Sequence, residues 1–141
     1  MKENLVLLID AQRTPQNQII GSWKDIWEQQ TSNTLHEIHP CLKPLKLAGL
    51  NRRKEVRLSR LRIGHTRYTN EHLLRSETPS MCRQCQSLLT VKHILIECPS
   101  FNEHRLNRFG GNNINLKDLL EDNPHQNLFL FLADIRGDKL I

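Results

Sequence analysis

At 141 residues the chain is sized for one domain, or for one small domain with arms. Apolar residues are 38 % and aromatics only 5 %, which argues against a large self-sufficient core and for an added staple such as a metal. The net charge of +5 is segregated: Lys43 to Arg75 holds ten Lys/Arg against Glu55 and Glu71, a local +8 that leaves −3 for the rest, so one basic face is expected.

Four cysteines do not read here as a secreted disulfide framework. The N-terminal apolar patch Leu5–Ile9 is flanked by Glu3 and Asp10, no small-residue cleavage site follows it, and it is too short to span a bilayer. The expectation is an intracellular protein of nucleus or cytoplasm, with reduced thiols and no membrane partner.

Residues 1–18 read as a lead or remnant, with Leu5–Leu8 either a strand or part of a buried helix and the polar stretch 11–18, with Pro15, a linker. A domain is expected over 19–135, and a frayed tail over 136–141. Ile19–Gln30 has helical spacing and places Trp23 and Trp27 on one face, with Ser22 a candidate cap. That face suits packing or docking; base stacking is the alternative. Leu35–Pro44 reads as irregular, and Cys41 as a small buried apolar group.

Asn51–Ile63 reads as a helix capped by Asn51, with two apolar stripes, Val56 with Ile63 and Leu58 with Leu61. Arg53, Arg57 and Arg60 fill the sector between them. Such a row either neutralises phosphates or is a solvated face paired with acids from elsewhere in the fold. Gly64 ends this helix. Thr69 caps a short helix through Arg75 with Leu73 and Leu74 inward, and His65 and His72 read as structural histidines hydrogen-bonded through both ring nitrogens.

The most informative stretch is Cys82–Cys98: Cys82-x2-Cys85, His93 and Cys98. Three thiols and one imidazole within a short segment match the tetrahedral N/S preference of zinc, and four protein ligands leave no open position for catalysis. The expected element, 81–99, is a zinc-knuckle β-hairpin followed by a helix that Thr90 caps and Pro99 ends. Leu88, Leu89, Ile94 and Leu95 would cluster beside the metal. Phe101–Phe109 reads as helical, Gly110–Asn113 as a break, Asn115 as the cap of a helix with Leu116, Leu119 and Leu120, and Pro124 as the opening of a last helix through Ile135. Phe129 and Leu132 on that helix, with Trp23 and Trp27, form the candidate interaction surface. The expected class is mostly α, a small helical domain with a zinc-knuckle β-hairpin/helix element. No acidic cluster, nucleophile–base arrangement or glycine-rich phosphate loop supports an enzyme.

The run R-L-S-R-L-R-I-G-H-T-R-Y-T (Arg57–Thr69), then C-R-Q-C (82–85), then L-T-V-K-H-I-L-I-E-C-P (Leu89–Pro99) resembles the C-terminal tail of insect non-LTR retrotransposon polyproteins, over roughly residues 20–135. There it follows a reverse transcriptase and a ribonuclease H domain. The resemblance implies Cys82, Cys85, His93 and Cys98 as metal ligands and reverse transcriptase or ribonuclease H as possible partners. The catalytic parts of that family have no counterpart in this sequence, and the ligand spacing is wider than in retroviral nucleocapsid knuckles. The functional expectation is a zinc-binding module that binds RNA or DNA by charge through Arg52, Arg53, Lys54, Arg57, Arg60, Arg62 and Arg67, with a docking module or a non-functional relic as alternatives.

Overall fold

A computed structural model describes residues 2–44, 49–111 and 113–136, with the backbone alone over 2–14. Helix α1 spans Lys2–Glu28 and contains Pro15. This corrects the linker reading of 11–18: the helix is continuous across it, and Pro15 removes one backbone donor without ending it. Ser22 is not a cap; its hydroxyl donates back to the Gln18 carbonyl at 3.1 Å, a mid-helix arrangement. At the end of α1, Trp27 Nε1 donates to the His39 carbonyl at 3.1 Å, and its ring meets His36 edge-on at 5.3 Å.

The stretch read as irregular contains a short helix, α2, Thr34–Ile38. Asn33 starts it by accepting from the Leu35 N–H at 2.9 Å, and fully buried Ile38 carries it into the core. Cys41 is exposed rather than buried. Lys92 Nζ ties α2 to the metal-ligand segment through Glu37, at 2.9 Å.

Helix α3, Arg52–Arg62, is capped as expected by Asn51, which accepts from the Lys54 N–H at 3.0 Å. Leu58 and Leu61 are buried; Ile63 is exposed. Gly64 follows with φ +73, where a Cβ would stand 2.9 Å from Thr34 Oγ1, so only glycine turns the chain here. Helix α4 is Arg67–Arg75, and its cap is Thr66, not Thr69. The two threonines form a reciprocal box: the Thr69 N–H donates to Thr66 Oγ1 at 3.1 Å and the Thr66 N–H to Thr69 Oγ1 at 3.2 Å. Leu73 and Leu74 point outward, against expectation. His65 is exposed and His72 keeps a buried Nδ1 without a partner, so neither is the doubly hydrogen-bonded histidine expected.

A 3-10 turn, Pro99–Phe101, leads into α5, Asn102–Phe109, which ends at Gly110 with φ +77. Helix α6, Leu116–Leu120, is boxed by Asn115 and Asp118, and α7 spans Leu128–Asp134. Pro124 precedes α7 without opening it. The main core gathers Ile38 from α2, Leu58 and Leu61 from α3, Val91 and Leu95 beside the ligand segment, all three leucines of α6, and Leu128, Phe131 and Leu132 of α7. α5 lies along α7: Phe109 stacks on Phe131 with ring centres 5.1 Å apart, and Arg108 forks onto Asp134 at 2.5 and 2.9 Å.

The expected fold class needs one correction. Among the described residues there is no β-strand, and the knuckle is not a β-hairpin; Met81 and Leu88 form an isolated bridge. Only six residues separate them, and four of these are the Cys82–Cys85 turn. Pro79 and the helical turn starting at Thr90 then leave no length for a ladder. The tail from Gly137 lies outside the described residues. No helix among the described residues is long and apolar enough to cross a membrane.

Candidate metal centre

Each side of the site is built by a short-range constraint. On one side, the Cys82–Cys85 turn is closed by the Gln86 N–H donating to the Cys82 carbonyl at 2.9 Å and by the Cys82 N–H donating to the Ser87 carbonyl at 2.8 Å. Gln86 accommodates the reversal at φ 55. On the other side, Thr90 starts a helical turn by accepting the His93 N–H at 3.0 Å, as its position predicts.

The turn then widens. Residues His93–Glu97 are a π-helix, and the Cys98 N–H donates five residues back to the His93 carbonyl at 2.7 Å. In an α-helix, residues five apart face about 140° away from one another. The wide turn closes that angle. Pro99 contributes as well, because a residue before proline is pushed out of the helical region; Cys98 is extended, with ψ 117. A five-residue His–Cys spacing is thereby brought onto one site.

The ligand atoms of Cys82, Cys85, His93 and Cys98 lie within 4.8 Å of one another. Cys98 Sγ is 3.8 Å from Cys82 Sγ and 3.7 Å from Cys85 Sγ. A tetrahedral ion with metal–sulfur bonds of about 2.3 Å spaces its sulfurs about 3.8 Å apart, whereas a disulfide requires about 2.05 Å. All are free thiols. His93 is buried, and its Nε2 has no hydrogen-bond partner. An orphaned buried nitrogen beside three sulfurs is what a ligand set looks like without its ion. Its other nitrogen, Nδ1, faces Glu97 Oε2 at 3.7 Å, an ion-pair distance longer than a hydrogen bond. The four side chains thus form a buried Cys/Cys/His/Cys cluster compatible with metal binding, and Leu89 and Ile94 pack directly on it. Leu95 turns instead into the main core, and Leu88 is exposed.

The thiols are not equivalent. The Cys85 and Gln84 backbone N–H groups and the His93 side chain favour a thiolate at Cys82, which is lowered to about 6, chiefly by the Cys85 N–H. Burial first, and then the neighbouring sulfurs, push Cys85 up to about 11. Without metal, Cys85 therefore holds its proton at neutral pH and must release it on coordination. Apparent affinity for zinc should rise by at least about one decade per pH unit between pH 7 and 9, read by chelator competition. A flat profile would contradict proton release from Cys85.

The sequence-predicted basic residues separate into groups. Arg52, Arg53, Lys54, Arg60 and Arg67 are exposed, and Arg57 is half-buried. Among the described residues Arg52, Arg53, Arg60 and Arg67 pair with no acid. Lys54 Nζ sits 5.3 Å above the Phe129 ring. Arg62 is corrected outright. It is 2 % exposed, and it donates through Nε to the Leu120 carbonyl and through Nη2 to the Glu121 carbonyl, both at 2.7 Å. It stands four residues after Leu58, so it shares the buried face of α3, and there its guanidinium closes the C-terminal end of α6.

The interaction surface divides likewise. Trp23 is 65 % exposed beside Ile19, Ile20 and Ile26, and Trp23, Ile26, Trp27 and Leu42 line a cleft of about 310 Å³. Leu132, however, is fully buried in the core and Phe129 is partly covered, so neither belongs to an open surface. Sequence reasoning missed Glu97 and Arg105. Glu97 had a signal, since it follows His93 by four residues; Arg105 had none, because nothing in its spacing tells a buried guanidinium from a solvated one.

Set against known proteins, the chain matches no family model, no curated protein and no solved structure.

Proposed function

We propose that the chain is a zinc-stapled helical module that binds RNA or DNA by charge through the exposed face of α3 and the start of α4, without catalysis of its own. The observation that carries the reading is the closed ligand set: four donors within 4.8 Å of one another, three of them sulfur. Zinc fits because tetrahedral thiolate–imidazole coordination is its preferred structural mode. Bound there, the ion would staple the Cys82–Cys85 turn to the His93–Cys98 turn, whose Leu95, with the preceding Val91, belongs to the same core as Leu58 and Leu61 of α3. The staple holds the basic face in shape.

Nucleic acid is favoured over an internally neutralised surface because Arg52, Arg53, Arg60 and Arg67 find no acid among the described residues. Arg60, His65 and Arg67 also border a mixed cleft of about 410 Å³ whose other walls include Asn70, Glu71, Leu73 and Leu74, with Glu71 engaged by Arg75. No set of side chains is arranged to read base edges, so binding is expected to be insensitive to sequence. The likeness of Arg57–Thr69 and Cys82–Pro99 to a retrotransposon tail fits an origin beside a reverse transcriptase.

Titrating a labelled single-stranded oligonucleotide at rising salt tests this. Five to six phosphate contacts on a single strand give a log–log slope of about −3.5 to −4, and Arg53→Ala with Arg60→Ala should reduce it by about two contacts without unfolding the chain. A slope near zero would rule this reading out. It would favour docking of a protein partner, such as a reverse transcriptase or ribonuclease H domain, on the exposed Ile19–Trp23–Ile26 face of α1.

A further inference from the structure

Arg105 of α5 is the most deeply buried charge near the metal centre, at 1 % exposure. Its Nη2 donates to the Cys98 carbonyl and to Asn102 Oδ1, and its Nη1 lies 3.5 Å from the Ile94 carbonyl. Its Nε is buried with no partner. Among the described residues it pairs with no carboxylate, and the nearby group able to oppose its charge is Cys98. A buried guanidinium satisfied only by neutral acceptors is expensive, because desolvation is not repaid by an opposite charge. A negative charge on this side of the molecule would offset that cost.

The ligand set can supply it. A divalent ion with three thiolates and one neutral imidazole carries a net charge of −1. Glu97 adds a further carboxylate, but its side chain is half exposed and screened by water. The buried unit is therefore one positive charge short, and Arg105 is held on the backbone of one of the ligands. We propose that Arg105 is the buried counter-charge of the metal centre: seated on the Cys98 carbonyl, it offsets the excess negative charge of a three-thiolate site and so sets how tightly the ion is held. The inference rests on the metal-binding reading above. It makes Arg105 a positioning residue that touches no metal, and it gives the two states of the chain opposite needs. Without metal the thiolate that the site favours is at Cys82, not at Cys98 to which the guanidinium is tied; with metal Cys98 is itself a thiolate.

That opposition is the test. Arg105→Gln keeps a donor for the Cys98 carbonyl and removes the charge; Arg105→Lys keeps the charge. Zinc affinity is measured by chelator competition on the full chain, and thermal stability is measured with and without zinc. The expected result is a loss of affinity of about tenfold or more in Arg105→Gln, with the metal-free form as stable as wild type or more so, and recovery to within a few-fold of wild type in Arg105→Lys. A purely structural arginine would lower both forms alike and leave affinity unchanged, which would overturn the proposal. Should Arg105→Gln fail to fold, Arg105→Lys decides: wild-type affinity supports the counter-charge, and a loss of about tenfold or more overturns it. A wild-type chain that takes up no zinc would overturn the metal reading together with this one; a wild type that binds zinc no more tightly than Arg105→Gln overturns this one alone.

Discussion

Removing the metal, or replacing Cys98 with Ala, is expected to produce the largest single loss of stability in the chain. Beside the cysteines, the cluster around the site contains only Leu89 and Ile94 as buried residues, while Val91 and Leu95 of the same segment pack into the main core instead. The Cys82–Cys85 turn is pinned by a handful of backbone hydrogen bonds and one isolated bridge. Cys98 Sγ stands 3.8 and 3.7 Å from the sulfurs of Cys82 and Cys85, contacts that amount to weak S–H···S hydrogen bonds without an ion. Metal binding supplies that missing energy, and in small metal-stapled domains it is folding energy outright. Chelation should therefore cost roughly 5 kcal/mol or more, on the order of 15 °C in Tm for a chain of 141 residues. Cys98→Ala should reproduce most of it, because Cys98 is fully buried and shares both short sulfur distances. Thermal unfolding with and without a chelator reads this directly, and amide exchange should place the loss first in residues 80–101. A Tm that chelator leaves unmoved would contradict it.

The second large effect is expected at Arg62, and it separates two roles that the sequence could not. Its guanidinium reaches from α3 to the Leu120 and Glu121 carbonyls at 2.7 Å, joining helices far apart in the chain. Arg62→Ala opens a cavity in a packed interior and leaves those carbonyls without their charged donor. About 3 kcal/mol is expected for a buried charge-assisted pair of bonds, or about 10 °C. Arg53→Ala, on the exposed face of the same helix, should lie within about 0.5 kcal/mol of wild type. Denaturant midpoints of the two variants check the contrast. If Arg62→Ala weakened nucleic-acid binding while leaving the midpoint unchanged, the buried assignment would be wrong.

The site was more legible in the sequence than its scaffold. Ligand identity is written in residue type, and Thr90 and Pro99 mark the ends of the turn that carries His93 and Cys98. The π-helical widening was not legible, because local propensity does not distinguish a five-residue turn from a four-residue one. It arises where Cys98 is forced into an extended conformation before proline while its N–H still reaches the His93 carbonyl. The caps at Asn51 and Asn115 were readable, since an Asn just before an apolar-periodic run is a local signal. The Thr66 cap was misplaced by one turn because both threonines of the box are competent caps. The hairpin was an overreading of a close cysteine pair: a knuckle needs only a turn, and this chain provides little more. The outward Leu73 and Leu74, and the inward Arg62, show the limit of type-based burial. Packing was decided by which face of α3 met α6, and no single-helix pattern contains that information.

The most direct test of the central claim is X-ray absorption spectroscopy at the zinc edge on the purified full chain, with metal content measured on the same sample. One zinc per chain is expected, with three sulfurs at about 2.3 Å and one nitrogen at about 2.0 Å. A chain that holds no zinc, or a first shell of oxygens without the three sulfurs, would contradict it.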